Sequence, residues 1–375
     1  MSLLKFLLTN QLKHQKPARK TGGFTLIELL VAMVLAFLVI TPLLGLAINI
    51  MDTDRKEQVK SNAEQEIKTA MDYIAQDLQQ AVYIYDDDGL SRDTNSDRRL
   101  SGIKDQIPPI ARAGVRGCDN INTCTPVLVF WKRQQKSRVM PPGGSGDCGI
   151  LSQRDAELKC DDAYVYTLVG YYLITGNSAS GNTWSNVARI ARFEISDGVR
   201  NPDTRTNRAR PYITYNKVPS SPSKGFLAFK LGGIGTLKQK MNQWKKDKVN
   251  YDFNLGDTVL VDYIDLPDPN FATLSDPPPG GITCDTTNVN PARTPLIPRE
   301  QRVPKNPTLN SFYACVSSSG LPPNKSNYAR IYIRGNALAR LQKTNPPPRY
   351  SENKSAFFPT VTMQVQGNGF LYTRQ

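Results

Sequence analysis

The chain has 375 residues, enough for a membrane segment and one large domain or two smaller ones. It carries 47 basic and 33 acidic residues, a formal net charge of +14, and one histidine, His14. A chain trimmed of its first 23 residues would contain no histidine. That excludes histidine triads, histidine acid/base chemistry and histidine metal ligation from the trimmed chain.

Residues 1–23 hold Lys5, Lys13, Lys16, Arg19 and Lys20 and no acid. Such a basic leader is expected to stay cytoplasmic, with the bulk of the chain across the membrane. Removing its five cations leaves 42 basic against 33 acidic residues, or +9. From Phe24 to Met51 the sequence is apolar and Glu28 is its only charge. That length suffices to cross a hydrocarbon core of about 30 Å. An acidic residue in the middle of a membrane helix costs roughly 2.5–3.5 kcal/mol, so such a group is expected to be paired and functional. If the chain is cut after Gly23, the new amine of Phe24 lies one helical turn from Glu28, within reach of that carboxylate or a neighbouring subunit's. An ordinary secretory signal is cut beyond its apolar run, where Leu44-Gly45-Leu46-Ala47 is a poor site. A plain retained anchor leaves Gly23 and Glu28 without a purpose. Thr41-Pro42 and Gly45 predict a kink or local melt over residues 36–42.

Beyond Met51 a helical stripe of Val59, Ala63, Ile67, Ala70, Met71, Ile74, Leu78, Ala81 and Val82 recurs at spacings of three and four. Lys60, Glu64, Lys68, Asp72 and Asp77 are assigned to the opposite, polar face. The helix is predicted to run from Phe24 to about Tyr85 and to stop at Asp86-Asp87-Asp88-Gly89, where aspartates oppose the macrodipole. Next, Asp93, Asn95 and Asp97 have the spacing of a calcium loop. Arg98 replaces the expected glycine and no glutamate follows, so a polar surface loop is the default and calcium the alternative.

Six cysteines follow: Cys118, Cys124, Cys148, Cys160, Cys284 and Cys315. An even count on an oxidising side suggests disulfides, and pairing of neighbours (118 with 124, 148 with 160, 284 with 315) is the simplest of the 15 connectivities. No CxxC pair exists, so a zinc site is not expected.

Strands are predicted over 127–131, 164–174, 187–195, 226–231, 258–264, 312–316, 329–334 and 360–366. The stretch 187–195 alternates with arginines, as a half-exposed strand would. One short helix is predicted within 235–248. The Pro-rich stretch 267–307 cannot supply a central strand and reads as long surface loops, as does Pro346-Pro347-Pro348. Lys245-Lys246-Asp247-Lys248 beside Trp244 is the nearest approach to a compact basic run, and it reads as the exposed face of that helix. The predicted class is α+β: a cleaved leader (1–23), a transmembrane helix (24–51), its amphipathic continuation (52–85) and a β-rich extracytoplasmic head (86–375).

The run Lys20-Thr21-Gly22-Gly23-Phe24-Thr25-Leu26-Ile27-Glu28-Leu29-Leu30 closely resembles the class III signal of type IV prepilins and type II secretion pseudopilins. The resemblance implies cleavage between Gly23 and Phe24 by a prepilin peptidase, methylation of Phe24, and a role for Glu28 in registering subunits. It further implies a single-pass inner-membrane precursor, then a pilus or pseudopilus fibre. The partners implied are other major and minor pilins and an inner-membrane assembly platform. Neither an enzymatic role nor a resident cofactor is implied. The size, long helix and bulky loops resemble the J-type and W-type minor components, which sit at or near the fibre tip and help start assembly. Within that group, Met71-Asp72-Tyr73-Ile74-Ala75-Gln76-Asp77-Leu78 and the runs 329–338 and 361–367 resemble pseudopilins of hormogonium polysaccharide secretion in filamentous cyanobacteria. A second class stays open on the same N-terminus: a tip adhesin or binding pilin for an anionic polymer such as polysaccharide or DNA.

Overall fold

The computed structural model describes residues 23, 25–109, 118, 123–140, 160–176, 184–200, 212, 222–247, 258–271, 277–287, 300–317 and 327–369. They fall into two compact units, Met1–Glu57 and Gln58–Gln375. In the first, helix α1 (Leu26–Gln79) begins, and every residue of it up to Glu57 is exposed. Thr25 caps its start, with Oγ1 accepting a 3.3 Å hydrogen bond from the Glu28 N–H. The helix is continuous through Pro42, so the expected local melt is absent. Thr41 Oγ1 donates to the Phe37 carbonyl at 2.8 Å, which occupies an acceptor beside the proline.

In the second unit α1 continues and buries Ala63, Ile67, Ala70, Met71, Ile74 and Leu78, as its stripe predicts. It stops at Gln79 rather than near Tyr85. Ala81-Val82-Tyr83-Ile84, rich in β-branched and aromatic side chains, forms the edge strand β1 (Ala81–Ile84) instead. The Gln79 carbonyl, orphaned by the helix end, accepts from the Asn368 N–H at 2.9 Å.

The aspartates at 86–88 begin a short helix α2 (Asp87–Ser91), with Asp86 as its N-cap. The same triplet that opposes a helix C-terminus suits an N-terminus. Then come β2 (Cys124–Met140), β3 (Asp161–Thr175) and β4 (Ala188–Ser196). After them stand α3 (Leu237–Met241), started by a Thr236/Gln239 capping box, and β5 (Val259–Ile264). Strands β1 to β5 form one antiparallel sheet in chain order. Strands β6 (Gln301–Val303), β7 (Phe312–Ser317), β8 (Tyr328–Arg334) and β9 (Thr360–Gln366), with α4 (Leu338–Leu341) between the last two, form a second. β6 lies inside the Pro-rich stretch, at the edge of its sheet.

Two expectations fail in informative ways. β4 is buried along most of its length, not half-exposed, and Arg189 and Arg192 are 2 % and 8 % exposed. The predicted strand over 226–231 pairs with no strand. Its residues serve a knot of rings instead. Phe226, Phe229 and Trp244 all meet Trp131 of β2 edge-on, and Trp244 Nε1 donates to the Leu227 carbonyl at 2.6 Å.

Backbone hydrogen bonds join the end of β5 to the end of β8. Ile264 of β5 bridges Gly335, Asn336 N–H donates to the Tyr263 carbonyl, and Asp265 N–H to the Arg334 carbonyl. Beside these bonds Arg334 Nε donates to the buried Asp265 carboxylate at 2.9 Å, and Asn336 Nδ2 adds a 3.2 Å bond.

Candidate functional site

Two places in the chain bear on function. The first is the start of α1. Gly23 is exposed, while Gly22 and Phe24 lie outside the described residues. Glu28 stands in the first helical turn, where the unsatisfied N–H groups favour a carboxylate. Its side chain is exposed and meets no hydrogen-bonding or ionic partner among the described residues. Around and beyond it the helix is apolar and bare: Leu26 is 85 % exposed and Phe37 71 %. The apolar side chains from Leu26 to Met51 are covered by none of the described residues. A surface of that extent marks a membrane or partner contact, and 26 residues of helix span about 39 Å.

The second place is a charged cluster where α1 meets the first sheet. The polar-face assignment of Asp77 is overturned here: it is only 8 % exposed. Its Oδ1 accepts from Lys132 Nζ of β2 at 2.8 Å. Its Oδ2 accepts from Tyr171 Oη of β3 at 2.7 Å and from Arg192 Nε of β4 at 2.8 Å. Glu194 of β4 completes the set, 3.4 Å from Lys132 and paired with Arg192. One helix and three strands therefore share one carboxylate. Burial pushes Asp77 up, but hydrogen bonds and charge from Arg192 and Lys132 outweigh it and hold the carboxyl below the ordinary range. Burial likewise pushes Glu194 up, and Lys132 and Arg192 reverse it. Tyr171 is driven up by burial and by the adjacent Asp77 charge, so its hydroxyl stays a donor. Nothing here resembles an acid/base pair poised for catalysis; both carboxylates are held ionised by cations.

A signal for this cluster was present in the sequence. Strand residues of like spacing, Lys132 on β2 and Arg192 and Glu194 on β4, all require partners if their strands are central. A register is needed to see it, because Lys132 faces Thr167 and Tyr171 faces Arg192 only once the sheet is assembled.

The remaining candidates are placed as follows. Asn95 Oδ1 accepts from the Asp97 N–H, and the Asp97 carboxylate takes both the side chain and the N–H of Arg99. The Asp93 carbonyl accepts from the Gly102 N–H. This turn therefore spends Asn95 and Asp97 on itself, and it gathers no ligand set with Asp93. Cys118 is bonded to Cys124 and Cys284 to Cys315; Cys160 is also in a disulfide, and Cys148 lies outside the described residues. Among the described residues one group, Cys284, Glu300 and Cys315, brings metal-capable atoms close together. Its two sulfurs are bonded to each other, and Glu300 is held by Arg330 at 2.9 Å through Nε, so it offers no thiolate for a metal.

The prokaryotic N-terminal methylation motif matches residues 18–44. This is the signal of type IV pilins and pseudopilins, so the chain carries a pilin-type N-terminus on an apolar helix. No curated protein and no solved structure matches the chain.

Proposed function

We propose that this pilin-type N-terminus makes the protein a structural subunit of a type IV pilus-like or type II secretion-like fibre, of the minor kind. The observation that carries the reading is the methylation motif at residues 18–44 leading into an apolar helical stretch whose only charge up to Met51 is Glu28, unpartnered among the described residues. The precursor rests in the membrane with residues 1–23 in the cytoplasm and the head outside. A prepilin peptidase cuts between Gly23 and Phe24, and Phe24 is methylated. The new amine of Phe24 then meets a Glu28 carboxylate, and that pairing sets the axial register between subunits. Burial of Leu26, Leu29, Leu30, Met33 and Phe37 among neighbouring helices holds the fibre core, at about 25 cal/mol for each Å² of apolar surface removed from solvent.

The minor, tip-proximal role is supported by the size of the head and its two sheets. The resemblance to hormogonium polysaccharide secretion components makes export of a polysaccharide the favoured task of the fibre. The role is that of a structural subunit, in keeping with the pilin-type N-terminus. Mass spectrometry of the protein recovered from cells tests the reading: it predicts a chain beginning at N-methylated Phe24. A chain that retains Met1, or that begins beyond Met51, would remove it.

A further inference from the structure

We infer that the head carries a groove for an acidic polysaccharide, on the sheet face opposite α1. Alternation along β2 sets the two faces: Lys132 points to the helix and Trp131 away from it, into the knot of Phe226, Phe229 and Trp244. Above that knot lies a groove of about 560 Å³. Arg98 and the neighbouring segments 227–234 and 240–247 line it with five cations, Arg98, Lys230, Lys240, Lys245 and Lys246, against one acid, Asp247. Lys230, Lys240 and Lys245 have no carboxylate partner among the described residues, and Lys230 and Lys245 are exposed. Lys245 and Lys246 of the short basic run are thus only part of a cationic lining that the fold gathers.

The second observation is independent of charge. From Ala228 to Gly233 the backbone belongs to no helix or strand, bends at Gly233 (φ +87°), and has no N–H or C=O with a hydrogen-bond partner among the described residues. Its flanks are hydrogen-bonded, by Trp244 Nε1 on the Leu227 carbonyl and Arg98 Nη1 on the Ile234 carbonyl, while Phe229 anchors its middle by packing alone. A Cβ added at Gly232 would meet nothing within 4 Å. The wall therefore presents a strip of free donors and free acceptors beside fixed positive charge.

A matching ligand must supply anions together with groups that both donate and accept hydrogen bonds along its length. The carboxylates and hydroxyls of a polyuronate do so. A phosphodiester only accepts, and a single nucleic acid strand needs exposed rings on which bases stack. Here Trp244 is 3 % exposed, and the half-buried Phe229 meets Trp131 and Tyr166 edge-on rather than offering an open ring face. This inference does not depend on fibre assembly, since binding is read on the purified protein whatever its N-terminus.

The test uses the full chain in a non-ionic detergent. It is titrated with polygalacturonate, with fully methyl-esterified polygalacturonate, and with an oligothymidylate of matched charge. We expect polygalacturonate to bind, the neutral ester to bind at least about tenfold more weakly, and raising salt from about 50 to about 200 mM to cost about tenfold or more. The double variant Lys230→Glu/Lys245→Glu should lose at least about tenfold in affinity with an unchanged melting curve. Gly232→Trp, which fills open groove space without changing charge, should do the same and decides the matter if the double variant does not fold. Failure of polygalacturonate to bind, equal binding of its ester, tighter binding of the oligothymidylate, or wild-type affinity in a folded variant would each overturn the inference.

Discussion

Asp77 shows how a single side chain can be read wrongly from a helical wheel and still be decisive. Its position lies at the margin of the polar face of α1, but three strands bring Lys132, Tyr171 and Arg192 to it. Removing one member of a buried charge group strands the others. Asp77→Ala is therefore expected to lower stability by about 3–5 kcal/mol, measured by thermal unfolding of the purified chain. A loss under about 1 kcal/mol would show that the cluster is replaceable by water. The pH dependence has two parts of opposite sign. Asp77 is held below its unfolded value, so its contribution is present above about pH 4 and lost as pH falls further. Asp265 is the reverse: burial outweighs Arg334 and pushes it up to about 6. Its contribution is complete below about pH 4 and disappears as pH rises through its folded value. Asp265→Asn should flatten the stability profile between those limits while leaving the acid limb in place. An unchanged slope there would assign it to another group.

At the scale of elements, the long helix was legible because its apolar stripe repeats over many turns, and most strands because their runs are dense in β-branched and aromatic residues. What escaped were features fixed by partners distant in sequence. β4 looked half-exposed because it contains arginines, yet Arg189 donates to the Gly176 carbonyl and Arg192 to Asp77, so both are buried. The 226–231 run has the composition of a strand, but its rings are drawn to Trp131 and its backbone is left outside the sheet. α2 and β6 are too short to carry a periodic signal. For α1 itself, the expected consequence of its lone charge is testable in cells. Glu28→Ala should be cleaved and methylated like the parent, yet its recovery in the sheared fibre fraction should fall by about tenfold or more. Undiminished recovery would mean that subunits find their register without the carboxylate.

For the whole molecule, the pilin-type N-terminus was readable from fewer than thirty residues, while the head was readable only as α+β. Of the candidate groove only the basic run beside Trp244 was readable, since Arg98 and Lys230 join it only in the folded head. The charged cluster has a mechanical corollary. Asp77 lies in the last turn of α1, and its partners sit on β2, β3 and β4, in the middle of a five-stranded sheet. Traction along that helix is thus delivered to three strands together at the centre of the sheet, through several short bonds strained in parallel. A load on the head would have to break them as a set, and the surface loops would be spared until the helix itself tore free.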